Sequence, residues 1–97
     1  DQDLAQLLRE TLLEEAPGMI ADARLAIDNG DWVAARRCGH SMKSSFGAVG
    51  AMAASAMAKR LEFVESDDAR DFREAIESIN EEFRKLSELM QDKFGIA

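Results

Sequence analysis

Apolar positions recur along this chain at alternating spacings of three and four, the period of a helix with one buried face. Strand-type alternation is absent. Three breaks interrupt the pattern: Asn29-Gly30-Asp31, the stretch Gly47 to Gly50, and Ser66-Asp67-Asp68. Each joins a turn former to a residue able to start a helix. Four helical segments are therefore predicted. The first runs from about Gln2 to Ile27, with Leu4, Leu8, Leu12, Ile20, Ala23 and Ile27 on its apolar face; Pro17 is expected to kink or restart it, because proline removes a helical donor. Asp31 caps the second, whose inner positions are Trp32, Ala35, Gly39, Met42, Phe46 and Val49. The third starts near Gly50 and turns Ala53, Met57, Leu61 and Val64 inward. The fourth runs from about Asp68 to Phe94 and repeats the spacing at Phe72, Ile76, Ile79, Phe83, Leu86 and Met90. Short connections favour antiparallel neighbours, so the expected fold is all-α, an antiparallel up-down four-helix bundle.

Length and composition narrow what such a bundle can do. Ninety-seven residues make one domain, read here as spanning 1–97, with a modest core and no room for a deep cofactor cleft. The sole cysteine, Cys38, excludes an intramolecular disulfide and a cysteine-based zinc site; it reads as a small packing residue, and a reducing cytoplasm is the expected setting. No apolar run approaches bilayer length and no signal peptide is evident, so no membrane contact by this domain is expected. Because the chain starts at Asp1 without a methionine, it reads as a piece of a longer protein.

The net charge of −7 argues against nucleic-acid binding, but its distribution is uneven. Between Asp31 and Glu62 no acidic residue occurs, whereas Arg36, Arg37, Lys43, Lys59 and Arg60 all fall there. The only histidine, His40, lies in this cationic window. With about 100° of rotation per residue, His40 falls roughly 130° from the centre of the second helix's apolar stripe, which places it on the solvent side. Arg36, Arg37, Lys43 and Ser44 share its face at helical contact spacing, with Gly47 seven residues on.

A histidine beside cations and small side chains suits phosphoryl transfer. A neutral imidazole, with an unperturbed pKa of about 6.5, attacks phosphorus without a separate base. Cations favour the charge on the transferred group and tend to keep the imidazole neutral. A hydrolase would need a base and an orienting acid, and no acid lies within this helix. One histidine among cations is too few ligands for a metal.

The stretch GHSMKSSFGAVGAMAASAMAKRLE, Gly39 to Glu62, resembles the histidine-containing phosphotransfer (HPt) family of bacterial phosphorelays. That family's pattern is a histidine, a hydrophobe two on, a lysine three on, small residues next, and a glycine ten on; here these are His40, Met42, Lys43, Ser44-Ser45 and Gly50. The preceding GDWVAARRCGH and the earlier EEAPGMIADARLAI are similar to the family's entry into that helix and to its first long helix. Two departures stand out: Ser44 where glycine is usual, and Gly39 where alanine is common, the latter suggesting a close helix contact.

The resemblance implies a carrier without kinase activity of its own. His40 would accept a phosphoryl group from an aspartate of a response-regulator receiver domain and pass it to another, with Lys43 and Arg36 or Arg37 as electrostatic support. Ser41, Ser44 and Gly47 would leave space for the docked partner. It implies no cofactor here, since the magnesium belongs to the receiver. It further implies a monomer, and a parent hybrid sensor kinase anchored in the inner membrane. Two other readings stay open: the phosphoacceptor domain of a chemotaxis-type kinase, and a helical adaptor in which His40 is incidental.

Overall fold

A computed structural model describes residues 3–94, with the backbone alone for residues 93 and 94. Four helices form: α1 (Leu4–Asp28), α2 (Trp32–Ala48), α3 (Met52–Glu62) and α4 (Ala69–Phe94). Each packs on its neighbours in sequence, and α1 closes against α4, which makes an up-down bundle. It measures 46 by 19 by 19 Å. The expected start at Gln2 lies outside the described residues. Asp3 caps α1 instead, accepting from the Gln6 N–H at 2.7 Å.

Local chemistry fixes the first two turns in the same way. Gly30 (φ 69°) and Gly50 (φ 76°) adopt the left-handed conformation that side chains disfavour. Each closes a paired C-terminal motif. The Gly30 N–H donates to the Ile27 carbonyl and the Asp31 N–H to that of Ala26; Gly50 and Ala51 donate likewise to Gly47 and Phe46. Asp31 then caps α2 through the Ala34 N–H at 3.1 Å. The third connection has no glycine, and α3 ends at Phe63 with a φ of −107°.

The second and fourth stripes fall where the periodicity puts them. Ala35, Gly39, Met42 and Phe46 are buried on α2, and Phe72, Ile76, Ile79 and Met90 on α4. Fully burying a side chain the size of Phe46, Phe72 or Leu61 contributes about 1.5–3 kcal/mol. Trp32 plugs the bundle end, stacked on Phe72 at 4.7 Å.

Three expectations need correction. On α3 the buried positions are Ala54, Ala58 and Leu61; Ala53 is exposed, and Met57 and Val64 are only half-buried. The segment MAASAMA is weakly hydrophobic all round, so its sequence could not choose between adjacent faces. On α1, Leu4 and Leu8 lie outside the core, which begins at Leu12. Finally, α1 does not restart at Pro17. Pro17 is exposed, and packing through the buried Ala16 and Ile20 carries the helix across it.

The closest approach in the bundle is between α2 and α3. A Cβ placed on Gly39 would sit 2.6 Å from the Glu62 nitrogen and 2.9 Å from the Ala58 carbonyl oxygen. Ser55 adds a link by donating to the Lys43 carbonyl at 3.0 Å. Gly39→Ala is therefore expected to destabilise the protein by about 1–3 kcal/mol, although alanine favours a helix. Gly47→Ala meets nothing nearer than the Ser55 hydroxyl at 3.7 Å and should be neutral or stabilising by up to about 1 kcal/mol. Urea denaturation of both variants checks the pair; equal stability of Gly39→Ala and wild type would contradict the packing.

Candidate functional site

The centre of α2 presents His40 to solvent, its side chain 61% exposed, beside the residue whose missing Cβ admits α3. Because the α3 backbone lies against Gly39, the last residue of α3 falls beside His40. Glu62 Oε2 lies 2.7 Å from His40 Nδ1, and Glu62 Oε1 lies 2.6 Å from Lys43 Nζ. One carboxylate thus holds the histidine and the lysine together. The Glu62 side chain is only 17% exposed, so this is the most sheltered ion pair at the site.

The hydrogen bond from Lys43 holds the Glu62 carboxyl below the usual carboxylate range, and the bond to His40 acts in the same direction. An ionised carboxylate can only accept, so Nδ1 must be the donor in the 2.7 Å contact. In the neutral ring this leaves the proton on Nδ1 and the lone pair on Nε2.

The sequence-predicted residues are distributed around this contact. Lys43 shares Glu62 with His40, and its ammonium lies 5.5 Å from the centroid of the exposed Phe63 ring. Arg37 and Ser41 line a groove toward α1 with Met19, Asp22 and Cys38. Ser44 is exposed and borders a second groove with Leu8, Thr11 and Glu15; Gly47 is exposed one turn further on. Burial pushes the Cys38 thiol up, aided by Asp22, which is the opposite of thiolate activation.

Arg36 requires a correction. Expected to face the histidine, it sends its hydrogen bonds and its ion pair to the α3–α4 connection instead: Nε to the Val64 carbonyl (2.9 Å), Nη2 to that of Ser66 (3.0 Å), and Nη2 to Asp67 (3.3 Å). Its position four residues before His40 put it on the right face, but a long side chain finds partners beyond its own helix.

Sequence reasoning missed Glu62 and Phe63 as site residues. The available signal was that Glu62 ends the acid-free window. Which carboxylate meets His40 depends on how α3 packs, and periodicity does not report that. Among the described residues, no group of three or more His, Cys, Asp or Glu side chains could hold a metal ion, and no helix is long and apolar enough to cross a membrane.

Because its pKa is depressed, Glu62 keeps its charge, and its bonds to Lys43 and His40, above the ordinary carboxylate range; both are lost as pH falls through its lowered value. Lys43→Met is expected to raise the Glu62 midpoint toward the ordinary range, read by carboxyl-carbon NMR titration. An unmoved midpoint would show that Lys43 is not its main partner.

Comparison with protein-family models matches residues 7–92 to the Hpt domain. No curated protein and no solved structure matches the chain.

Proposed function

Because the chain belongs to the Hpt domain family, whose members act in histidine phosphotransfer, we propose that His40 is the residue that takes up the phosphoryl group and hands it on. The observation that carries this reading is the contact of 2.7 Å between Glu62 and Nδ1 on the chain's only histidine, which directs the Nε2 lone pair outward from an exposed ring. Hpt domains interact with receiver domains in phosphorelays, and the donor and acceptor proposed here are receiver aspartyl phosphates.

In the forward step, the Nε2 lone pair attacks phosphorus and forms the N–P bond. The bond from phosphorus to the aspartate oxygen breaks, and its electron pair leaves on the carboxylate. The proton on Nδ1 stays in place, so the imidazole ring becomes cationic as the bond forms. Glu62 sits where that charge develops and offsets it, as the buried carboxylate of a catalytic triad does for its imidazolium. The return step reverses each of these changes.

Lys43 is the cation closest in role to the phosphoryl oxygens. Held by Glu62 before transfer, it lies one turn beyond His40 and has a flexible stem able to follow the incoming charge. Arg37, exposed on the same helix, supplies a second positive charge. Ser41, Ser44 and Gly47 keep the surrounding surface low enough for a folded partner to approach. The magnesium that such a transfer uses would be held by the receiver's own carboxylates, and this chain's residues take no part in binding it.

Incubation with a phosphorylated receiver domain tests the reading. Wild type should gain acid-labile phosphate, and His40→Gln should gain none. Equal labelling of His40→Gln, or none of wild type, would leave only a helical adaptor. Glu62→Gln keeps an acceptor for Nδ1 but removes the charge, so it should slow labelling roughly tenfold, the difference between a charge-assisted and a neutral hydrogen bond. Lys43→Ala should slow it by about tenfold while leaving the thermal melting transition in place.

A further inference from the structure

The three interhelical connections are not built alike. The first two are closed by left-handed glycines and paired backbone bonds, and the third has neither. After Glu62 the chain leaves α3 through a Phe63 N–H bond to Lys59 at 3.1 Å and a long Val64 N–H contact to Leu61 at 3.5 Å. The last carbonyls of a helix and the residues after it need donors from elsewhere. Glu62, the residue that meets His40, is thus the final residue of a helix that, unlike α1 and α2, is not closed by a left-handed glycine.

Arg36 supplies side-chain donors to the connection that follows α3. Its guanidinium bridges the Val64 and Ser66 carbonyls and reaches Asp67, so one planar fork fastens three residues of the connection beyond Glu62 to α2. The fork is itself held: it lies 5.2 Å from the centroid of Phe72, whose other partner is the stacked Trp32 ring. Arg36 stands one turn before His40 on the same helix. The histidine and the clamp on its carboxylate partner therefore share one rigid element.

We propose that Arg36 is a positioning residue for the phosphotransfer site, acting through Glu62 by tying the end of α3 to α2 so that the carboxylate stays on His40 Nδ1. This rests on the reading of His40 as the phosphoryl carrier. It accounts for a half-buried arginine whose hydrogen bonds go to a loop.

The test uses Arg36→Gln and Arg36→Lys, each made in wild type and in Glu62→Gln. Two readouts are taken: the ring nitrogen shifts of His40 by NMR, which report the Nδ1–H tautomer, and the rate of phosphorylation by phosphoramidate, a small donor that needs no docked partner. Arg36→Gln is expected to reduce the Nδ1–H tautomer and to slow phosphorylation roughly threefold to tenfold, the size of coupling between residues in one network. In the Glu62→Gln background the same change should cause no further loss. Arg36→Lys keeps the charge but loses the two-carbonyl fork; it should move both readouts the same way and decides the matter if Arg36→Gln does not fold. Unchanged ring nitrogens and rate in a folded variant would overturn the proposal, as would an equal loss of rate with and without Glu62. Absence of any phosphohistidine in wild type would instead sink the carrier reading, and the NMR readout would still decide the role of Arg36.

Discussion

At Gly39 the second helix carries no side chain, and the backbone of α3 occupies the space where one would be. That approach is the constraint on which the site depends. A methyl group at this position would press on the Glu62 nitrogen and the Ala58 carbonyl, neither of which can yield without moving α3 as a whole. With the two backbones in contact, Glu62 lies beside His40 and Lys43. With them further apart, the same residues would be three separate surface groups, and exposed charges contribute little in water.

The electrostatics follow from that geometry. Read along the chain, His40 lies in a cationic window, and the nearest acids in sequence are Asp31 and Glu62, both distant. In the bundle, Glu62 crosses 22 residues of sequence to become the histidine's hydrogen-bond partner. This reverses part of the expected balance. Lys43 is not an isolated cation beside the imidazole but one end of a lysine–carboxylate–histidine chain, in which the carboxylate fixes the proton on one nitrogen and leaves the other open. An exposed imidazole is compatible with a sheltered carboxylate because the two ring nitrogens face different ways: Nδ1 toward Glu62 and Nε2 away from it.

Much of the fold was legible because an amphipathic helix writes its buried face into its own sequence. The α2 and α4 stripes fall as their spacing predicts, and the two glycine turns are where Asn29-Gly30-Asp31 and Gly50 mark them. Legibility failed where contrast was low or packing overruled a local preference. The Ala- and Met-rich α3 could be read one residue out of phase, Leu4 and Leu8 continue a stripe whose buried part begins only at Leu12, and Pro17 sits in a helix held by its neighbours' burial. Within the site, Lys43 was legible as a neighbour of His40 at three residues' spacing; the partners of Arg36 were not, since they lie 28 to 31 residues away.

The sequence by itself determined four helices, the exposure of His40, the family pattern from Gly39 to Glu62, and the absence of acids around the histidine. Each of these is a property of one helix or one local stretch, fixed by a period of 3.6 residues or by the preferences of a turn. The tertiary structure alone decided that Glu62 is the histidine's partner, that Phe63 lies under Lys43, and that Arg36 faces the α3–α4 connection. Those pairings depend on how far apart two helices stand and how one is rotated against the other. Gly39 marks the close approach in the sequence, but no regularity along the chain records which residues that approach brings together.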